Sequence, residues 1–151
     1  MEKTDIIRQE LIFLDYDSNS KDQIIKLIAK AAEAIDYVSD ADLFFQAVLK
    51  REAEVPTAIG YSIAIPHGKT DVVKKPFIAF LRTKKKFRWS QEDNEKVQLI
   101  FLIGVPETGT EKLHLKFISQ VSKKLLDEHF REELLQQDKD KVFQLLNAID
   151  V

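Results

Sequence analysis

Cysteine is absent from this chain of 151 residues. That removes disulfides, thiol nucleophiles, iron–sulfur clusters and cysteine-based zinc sites, and it suits a reducing cytoplasm. No apolar run approaches the roughly 18 residues that a membrane-spanning helix needs. Met1 to Asp5 carries acids where a secretory leader would carry a basic stretch. The expectation is a cytoplasmic protein with no direct membrane insertion. An excess of positive charge is missing too: 23 Lys plus Arg stand against 25 Asp plus Glu, which argues against charge-driven nucleic-acid binding. Neither a P-loop, nor G-x-S-x-G, nor G-x-G-x-x-G occurs, so NTPase, serine-hydrolase and dinucleotide readings lack support. Linker-like stretches and internal repeats are likewise absent, and residues 1–151 read as one domain.

What remains is an ordinary globular composition, 44% hydrophobic and 32% charged, long enough to bury a core without cross-links. Leu11 to Leu14 reads as a strand ended by Asp15 to Ser20. Ser20 with Gln23 forms a capping box before Ile24, Ile28, Ala31 and Ile35, which predicts a helix over 21–36. A second helix starts after Ser39 or Asp40 with Phe44, Ala47 and Val48 on one face, and Pro56 limits its length. Ile59 to Ile65 alternates weakly as extended chain. Residues 77–82 and 97–105 are apolar at nearly every position, as strands covered on both faces are. The polar stretch between them, Thr83 to Glu95, reads as a hairpin-like excursion. Thr108 and Glu111 suggest another capping box, opening a helix with His114, Ile118, Val121 and Leu125 on one stripe. Phe130 to Gln136 and Val142 to Ile149 give two further short helices, the last capped by Asp138. This order of elements predicts an α/β fold, a mixed sheet sandwiched between helices.

With cysteine gone, reactivity rests on histidine, carboxylate and hydroxyl groups. His129 stands among Asp127, Glu128, Arg131, Glu132 and Glu133, a solvated helix face with no assigned role. His67 lies between Pro66 and Gly68, a setting that aims a side chain at the end of an extended segment while Gly68 lets the backbone turn. It reads either as a functional imidazole or as a turn histidine with no role. His114 falls on a buried stripe near a helix start, as a core histidine or beside an anion favoured by the helix dipole. Arg51 continues the stripe of Phe44 and Val48, as a surface arginine near a helix C-terminus or as an anion ligand. Taken together, two histidines, an arginine and a helix N-terminus suit a site that accepts a phosphoryl group on an imidazole. Two histidines so far apart, without spaced carboxylates, match no metal-ligand pattern.

The segment from Glu52 to Gly68 carries a more selective pattern. It has an acidic residue, six free positions, Ile59, Gly60, two more positions, then Ile63-Ala64-Ile65-Pro66-His67-Gly68. This resembles the phosphohistidine signature of the fructose/mannitol-type enzyme IIA domains of the bacterial phosphoenolpyruvate-dependent sugar phosphotransferase system. Trp89, the apolar stretch 97–105 and His114-Leu115 before a helix extend the likeness to roughly Ile6–Ile149. Ser62 stands where many relatives have a second glycine, and Val55-Pro56 is an uncommon lead-in to Thr57.

The resemblance implies a mixed sheet sandwiched by helices and a phosphotransferase component working as a phosphoryl carrier. His67 would be the phosphoacceptor, His114 a second histidine that contacts the phosphate or orients the first ring, and Arg51 a stabiliser of the phosphate. It implies the histidine-containing phosphocarrier protein as donor, a IIB domain or subunit as acceptor, and no metal or cofactor. With no IIB or membrane segment in these residues, a stand-alone IIA subunit for uptake of a sugar or sugar alcohol is expected. A regulatory, nitrogen-type IIA is the alternative. A third reading, from another class, takes Lys74, Lys75, Arg82, Lys84, Lys85, Lys86 and Arg88 with Phe87 and Trp89 as a nucleic-acid surface. Glu92, Asp93, Glu95 and the negative net charge oppose it.

Overall fold

Alternation along the two apolar stretches divides the core in two. A computed structural model describes residues 6–90, 94–108 and 113–149, with the backbone described for Leu113 and His114. Strand β1 (Ile7–Tyr16) leads to helices α1 (Lys21–Ala34) and α2 (Ala41–Glu54). Three short strands follow: β2 (Ala58–Gly60), β3 (Ile63–Ala64) and β4 (His67–Lys69). The long strands β5 (Phe77–Arg88) and β6 (Lys96–Val105) come next, then α3 (Leu113–Lys124), α4 (Glu128–Gln136) and α5 (Lys139–Asn147). The sheet order is β1-β5-β6-β3-β2, with β4 also pairing with β6.

The β1/β5, β3/β6 and β4/β6 pairs are parallel, whereas β5/β6 and β2/β3 are antiparallel. Phe77, Ala79 and Leu81 of β5, with Ile100 and Leu102 of β6, pack with Ile24, Ile28, Phe44 and Val48 of α1 and α2. The intervening Ile78, Phe80, Leu99, Phe101 and Ile103 pack with Phe117, Val121, Leu134 and Leu146 of the C-terminal helices. Both faces of the sheet are therefore covered, as continuous apolar strands require. This is the mixed, helix-sandwiched α/β domain that the pattern predicts.

Local signals hold where chemistry is local. The Ser20, Asp40, Asp127 and Asp138 side chains each accept a backbone N–H in the first turn of their helices. The reciprocal half of the Ser20 box differs. The Gln23 side chain accepts from the Ser18 hydroxyl at 2.5 Å, and Ser18 Oγ accepts the Ser20 N–H at 3.1 Å. The proposed Thr108/Glu111 box lies outside the described residues, because Glu111 does.

Two expectations need correction. Residues 83–88 belong to β5, with Phe87 opposite Val97 and Arg88 opposite Lys96, so the excursion is the end of the β5/β6 hairpin. An irregularity between Arg82 and Phe87 disguises it: Thr83 Oγ1 donates to the Lys85 carbonyl at 2.7 Å, and Lys84, Lys85 and Lys86 are exposed in succession. Second, the chain does not turn at Gly68. It continues as β4, with Gly68 beside Gly104 of β6. A Cβ on Gly68 would stand 2.9 Å from Val48 Cγ2 and 3.1 Å from Phe44 Cε1. Glycine is needed here for close approach of α2.

The hairpin between β2 and β3 does use the left-handed region. Gly60, Tyr61 and Ser62 have φ of 93°, 55° and 64°, and such a conformation costs a non-glycine residue roughly 1–2 kcal/mol. The Ser62 carbonyl accepts from the N–H groups of Gln98 (2.8 Å) and Leu99 (3.0 Å), which holds the turn against β6. Arg131 of α4 stacks 4.4 Å from the centre of the Tyr61 ring. A glycine at position 62 would relax this turn.

Arg82 is buried, 4% exposed, and ties the C-terminal helices to the sheet. Its Nη1 donates to the carbonyls of Leu134 and Gln137, both at 2.9 Å, satisfying the end of α4, while Nε and Nη2 bond Asp15 at 2.9 and 3.3 Å. That pairing holds the Asp15 carboxyl below its ordinary range. Phe87 and Trp89 are 6% and 2% exposed. The nucleic-acid reading thus loses one cation and both stacking rings to the core.

Gly68→Ala should destabilise the domain by roughly 1–3 kcal/mol through overpacking against α2, lowering the thermal midpoint by about 3–10 °C. Differential scanning calorimetry checks this, and an unchanged midpoint would mean that α2 yields freely.

Candidate functional site

His67 opens β4, where Pro66 has removed one N–H from the strand but left its register intact. Ala64 pairs with Ile100 and His67 with Ile103, the same offset on both sides of the proline. The Pro66 carbonyl still accepts from Ile103 N–H at 3.0 Å. Ile63 and Ile65, at alternate positions before His67, lie in the core beneath α3 to α5. Alternation therefore sets His67 on the face that α3 covers.

Among the described residues β4 pairs with β6 alone, so this end of the sheet is open along one edge. Arg51, in the last turn of α2 on the other face, reaches the same edge. His67 and Arg51 line one open cavity of about 450 Å³ together with Ala47, Lys50, Glu54, Lys69 and Thr70. Arg51 Nη1 donates to the Val55 carbonyl at 3.1 Å, which holds the guanidinium at the helix end. His114 lies in the first turn of α3, following the strand end that neighbours β4. Its side chain lies outside the described residues.

The His67 ring is half-buried, with Nδ1 3.3 Å from the Ile65 carbonyl. A carbonyl oxygen only accepts, so this contact favours the tautomer with the proton on Nδ1 and the lone pair on Nε2. Burial pushes the His67 pKa below its ordinary value, the Ile65 carbonyl pulls it up, and the Arg51 charge lowers it further. The neutral, nucleophilic imidazole therefore predominates at neutral pH. Such a lowered pKa stabilises the fold above the ordinary histidine value, and that contribution fades as pH falls through the native pKa.

Sequence reasoning missed Lys69 and Thr70. The alternation that places His67 predicts Lys69 two positions on, whereas Thr70 enters only through the path of the chain leaving β4. It also missed the partners of Glu52, which is 3% exposed. Its Oε2 accepts from Thr57 N (3.3 Å) and Trp89 Nε1 (3.1 Å), and its Oε1 accepts the Thr57 hydroxyl.

Residues 5–149 match the family model described as phosphoenolpyruvate-dependent sugar phosphotransferase system, EIIA 2. The chain belongs to this EIIA family. EIIA components are phosphotransfer carriers. The chain is similar to a PTS system fructose-specific EIIA component of Haloferax volcanii, 36% identical over 135 residues that span 89% of this chain and 87% of that one. Among solved structures it resembles the nitrogen regulatory protein IIA-Ntr of Neisseria meningitidis, with a TM-score of 0.83, 29% identity and coverage of 93% and 96%. It also resembles one chain of a structure of the complex of enzyme IIA-mannitol and phosphorylated enzyme IIB-mannitol from Escherichia coli, with a TM-score of 0.78, 27% identity and coverage of 93% of this chain and 98% of that one. Among the described residues no helix is long and apolar enough to cross a membrane.

An NMR pH titration should place the His67 midpoint below the ordinary histidine value, and Arg51→Gln should move it upward because a positive neighbour is removed. A midpoint that does not move would take Arg51 out of the field felt by the ring.

Proposed function

We propose that His67 accepts a phosphoryl group on Nε2 from the histidine-containing phosphocarrier protein and passes it to a IIB domain or subunit, in the cytoplasm, during uptake of a sugar or sugar alcohol. The observation that carries this reading is the placement of a half-buried imidazole, favoured in its neutral form, in one cavity with Arg51. The likeness to a IIA–IIB complex supports the acceptor.

In the proposed step the Nε2 lone pair attacks phosphorus in line while the donor's N–P bond breaks and its electron pair returns to the donor imidazole. The Nδ1 proton stays on His67, shared with the Ile65 carbonyl, so the exchange balances without a separate acid or base. Arg51 disperses charge over the equatorial oxygens. His114 supports the phosphate from α3, whose N-terminal N–H groups add a favourable dipole. Transfer onward reverses the geometry toward the nucleophile of the IIB partner.

A second reading draws on the likeness to IIA-Ntr, in which the same phosphorylation would gate a regulator. Failure of the phosphorylated protein to pass its phosphate to any IIB partner, with retention of phosphorylation itself, would favour that reading.

Incubation with phosphoenolpyruvate, enzyme I and the phosphocarrier should give an acid-labile, base-stable phosphoprotein, and His67→Ala should give none. Phosphate retained by that variant would end the assignment. Arg51→Gln should slow transfer by about 100-fold, as loss of a transition-state donor does elsewhere. His114→Ala should slow transfer while leaving the circular dichroism spectrum unchanged, and normal rates in both directions would remove His114 from the site.

A further inference from the structure

Among the described residues two charged side chains are nearly removed from solvent, Glu52 and Arg82. Arg82 has a structural explanation in the carbonyls of α4. Glu52 pairs with no cation among the described residues, and an apolar side chain of similar size would fill its space without desolvating a carboxylate. What an apolar side chain could not do is hold the three donors that converge on it, two from Thr57 and one from Trp89.

Those donors connect Glu52 to the site by two short routes. Along the first, the Thr57 carbonyl accepts the Ile65 N–H at 3.1 Å, and the carbonyl of that same Ile65 meets His67 Nδ1 at 3.3 Å. Along the second, Thr57 anchors the segment whose Val55 carbonyl receives Arg51 Nη1 at 3.1 Å. Trp89, 2% exposed beside Phe87, supplies a fixed wall for the carboxylate from the end of the β5/β6 hairpin.

We propose that Glu52 is a positioning residue for phosphoryl transfer, its buried carboxylate acting through Thr57 to set both the tautomer and orientation of the His67 imidazole and the place of the Arg51 guanidinium. This rests on the reading of His67 as phosphoacceptor. The same hydrogen bonds are open to an amide at this position. An amide oxygen in place of Oε2 accepts both N–H groups, and its NH2 group donates to a Thr57 hydroxyl that has reversed its role.

The test compares Glu52→Met with Glu52→Gln. With the phosphorylated phosphocarrier protein as donor, Glu52→Met should lower the rate at saturating donor by roughly 10–100-fold, as misplacement of a reacting group by about 1 Å does, with the donor KM nearly unchanged. Glu52→Gln should restore the rate to within about threefold, since it keeps the hydrogen bonds. Long-range proton–nitrogen NMR of the unphosphorylated protein should show His67 with its proton on Nδ1 in the wild type and in Glu52→Gln, and a mixture of tautomers in Glu52→Met. A folded Glu52→Met with the wild-type rate and tautomer would overturn the proposal, as would Glu52→Gln behaving like Glu52→Met. If Glu52→Met fails to fold, Thr57→Val, which deletes the hydroxyl alone, replaces it. Mixed tautomers and a rate lowered about 3–10-fold support the proposal, and wild-type behaviour overturns it. The tautomer measurement uses no phosphate, so it judges Glu52 even if His67→Ala shows that phosphate goes elsewhere.

Discussion

The close approach of α2 to β4 is the constraint from which the site follows. Gly68 presents only hydrogen to Phe44 and Val48, so the helix lies directly on the strand that begins with His67. Its last turn, carrying Arg51 and Glu52, then ends at that strand's open edge. The seat extends sideways, because Gly104 lies in register beside Gly68 and takes the ring of Phe77 over its own vacant position. Phe77 in turn packs against Phe44, with ring centres 5.6 Å apart. Two glycines side by side thus convert helix packing, which is non-directional, into a fixed separation between a guanidinium and an imidazole on opposite faces of one sheet.

Polar groups buried at two places complete what apolar packing cannot specify. Near the site, Glu52 gathers Thr57 and Trp89 from separate elements. At the far side of the sheet, Arg82 gathers the end of α4 and the turn after β1 through Asp15. Each occupies a point where irregular chain would otherwise leave backbone groups unpaired, and each therefore links loops whose relative positions the hydrophobic core leaves loose.

The parts of the fold legible in sequence are those in which a short window contains the physics. Residues 77–82 and 97–105 announced strands covered on both sides, and Ser20, Asp40 and Asp138 announced helix starts, because capping is settled within three residues. Three misreadings share a different origin. In sequence Gly68 reads as a turn because its real neighbours, Phe44 and Val48, lie some twenty residues earlier. Lys84 to Lys86 hid a strand because an irregular register suspends the alternation. Arg82 looked like one more surface cation because the carbonyls it satisfies belong to α4. On the α3 stripe, Phe117 is fully buried although the reading through His114, Ile118, Val121 and Leu125 passed it by. For the candidate site, sequence indicated His67 and Arg51, and folding brings them to one cavity. Lys69 and the hydrogen bonds of Glu52 required knowledge of which strand faces which helix.

The unbroken register across Pro66 carries a consequence for length. Because the pairing offset before the proline equals that after it, the distance in residues from Ile63 to His67 determines which side of the sheet the imidazole occupies. Individual side chains in that run can change while their volumes suit the core. Insertion or deletion of a single residue would turn the histidine to the α1/α2 face, or force Ile63 and Ile65 out of their core beneath α3 to α5. The run is therefore a molecular spacer as much as a recognition pattern, constrained in count more tightly than in composition.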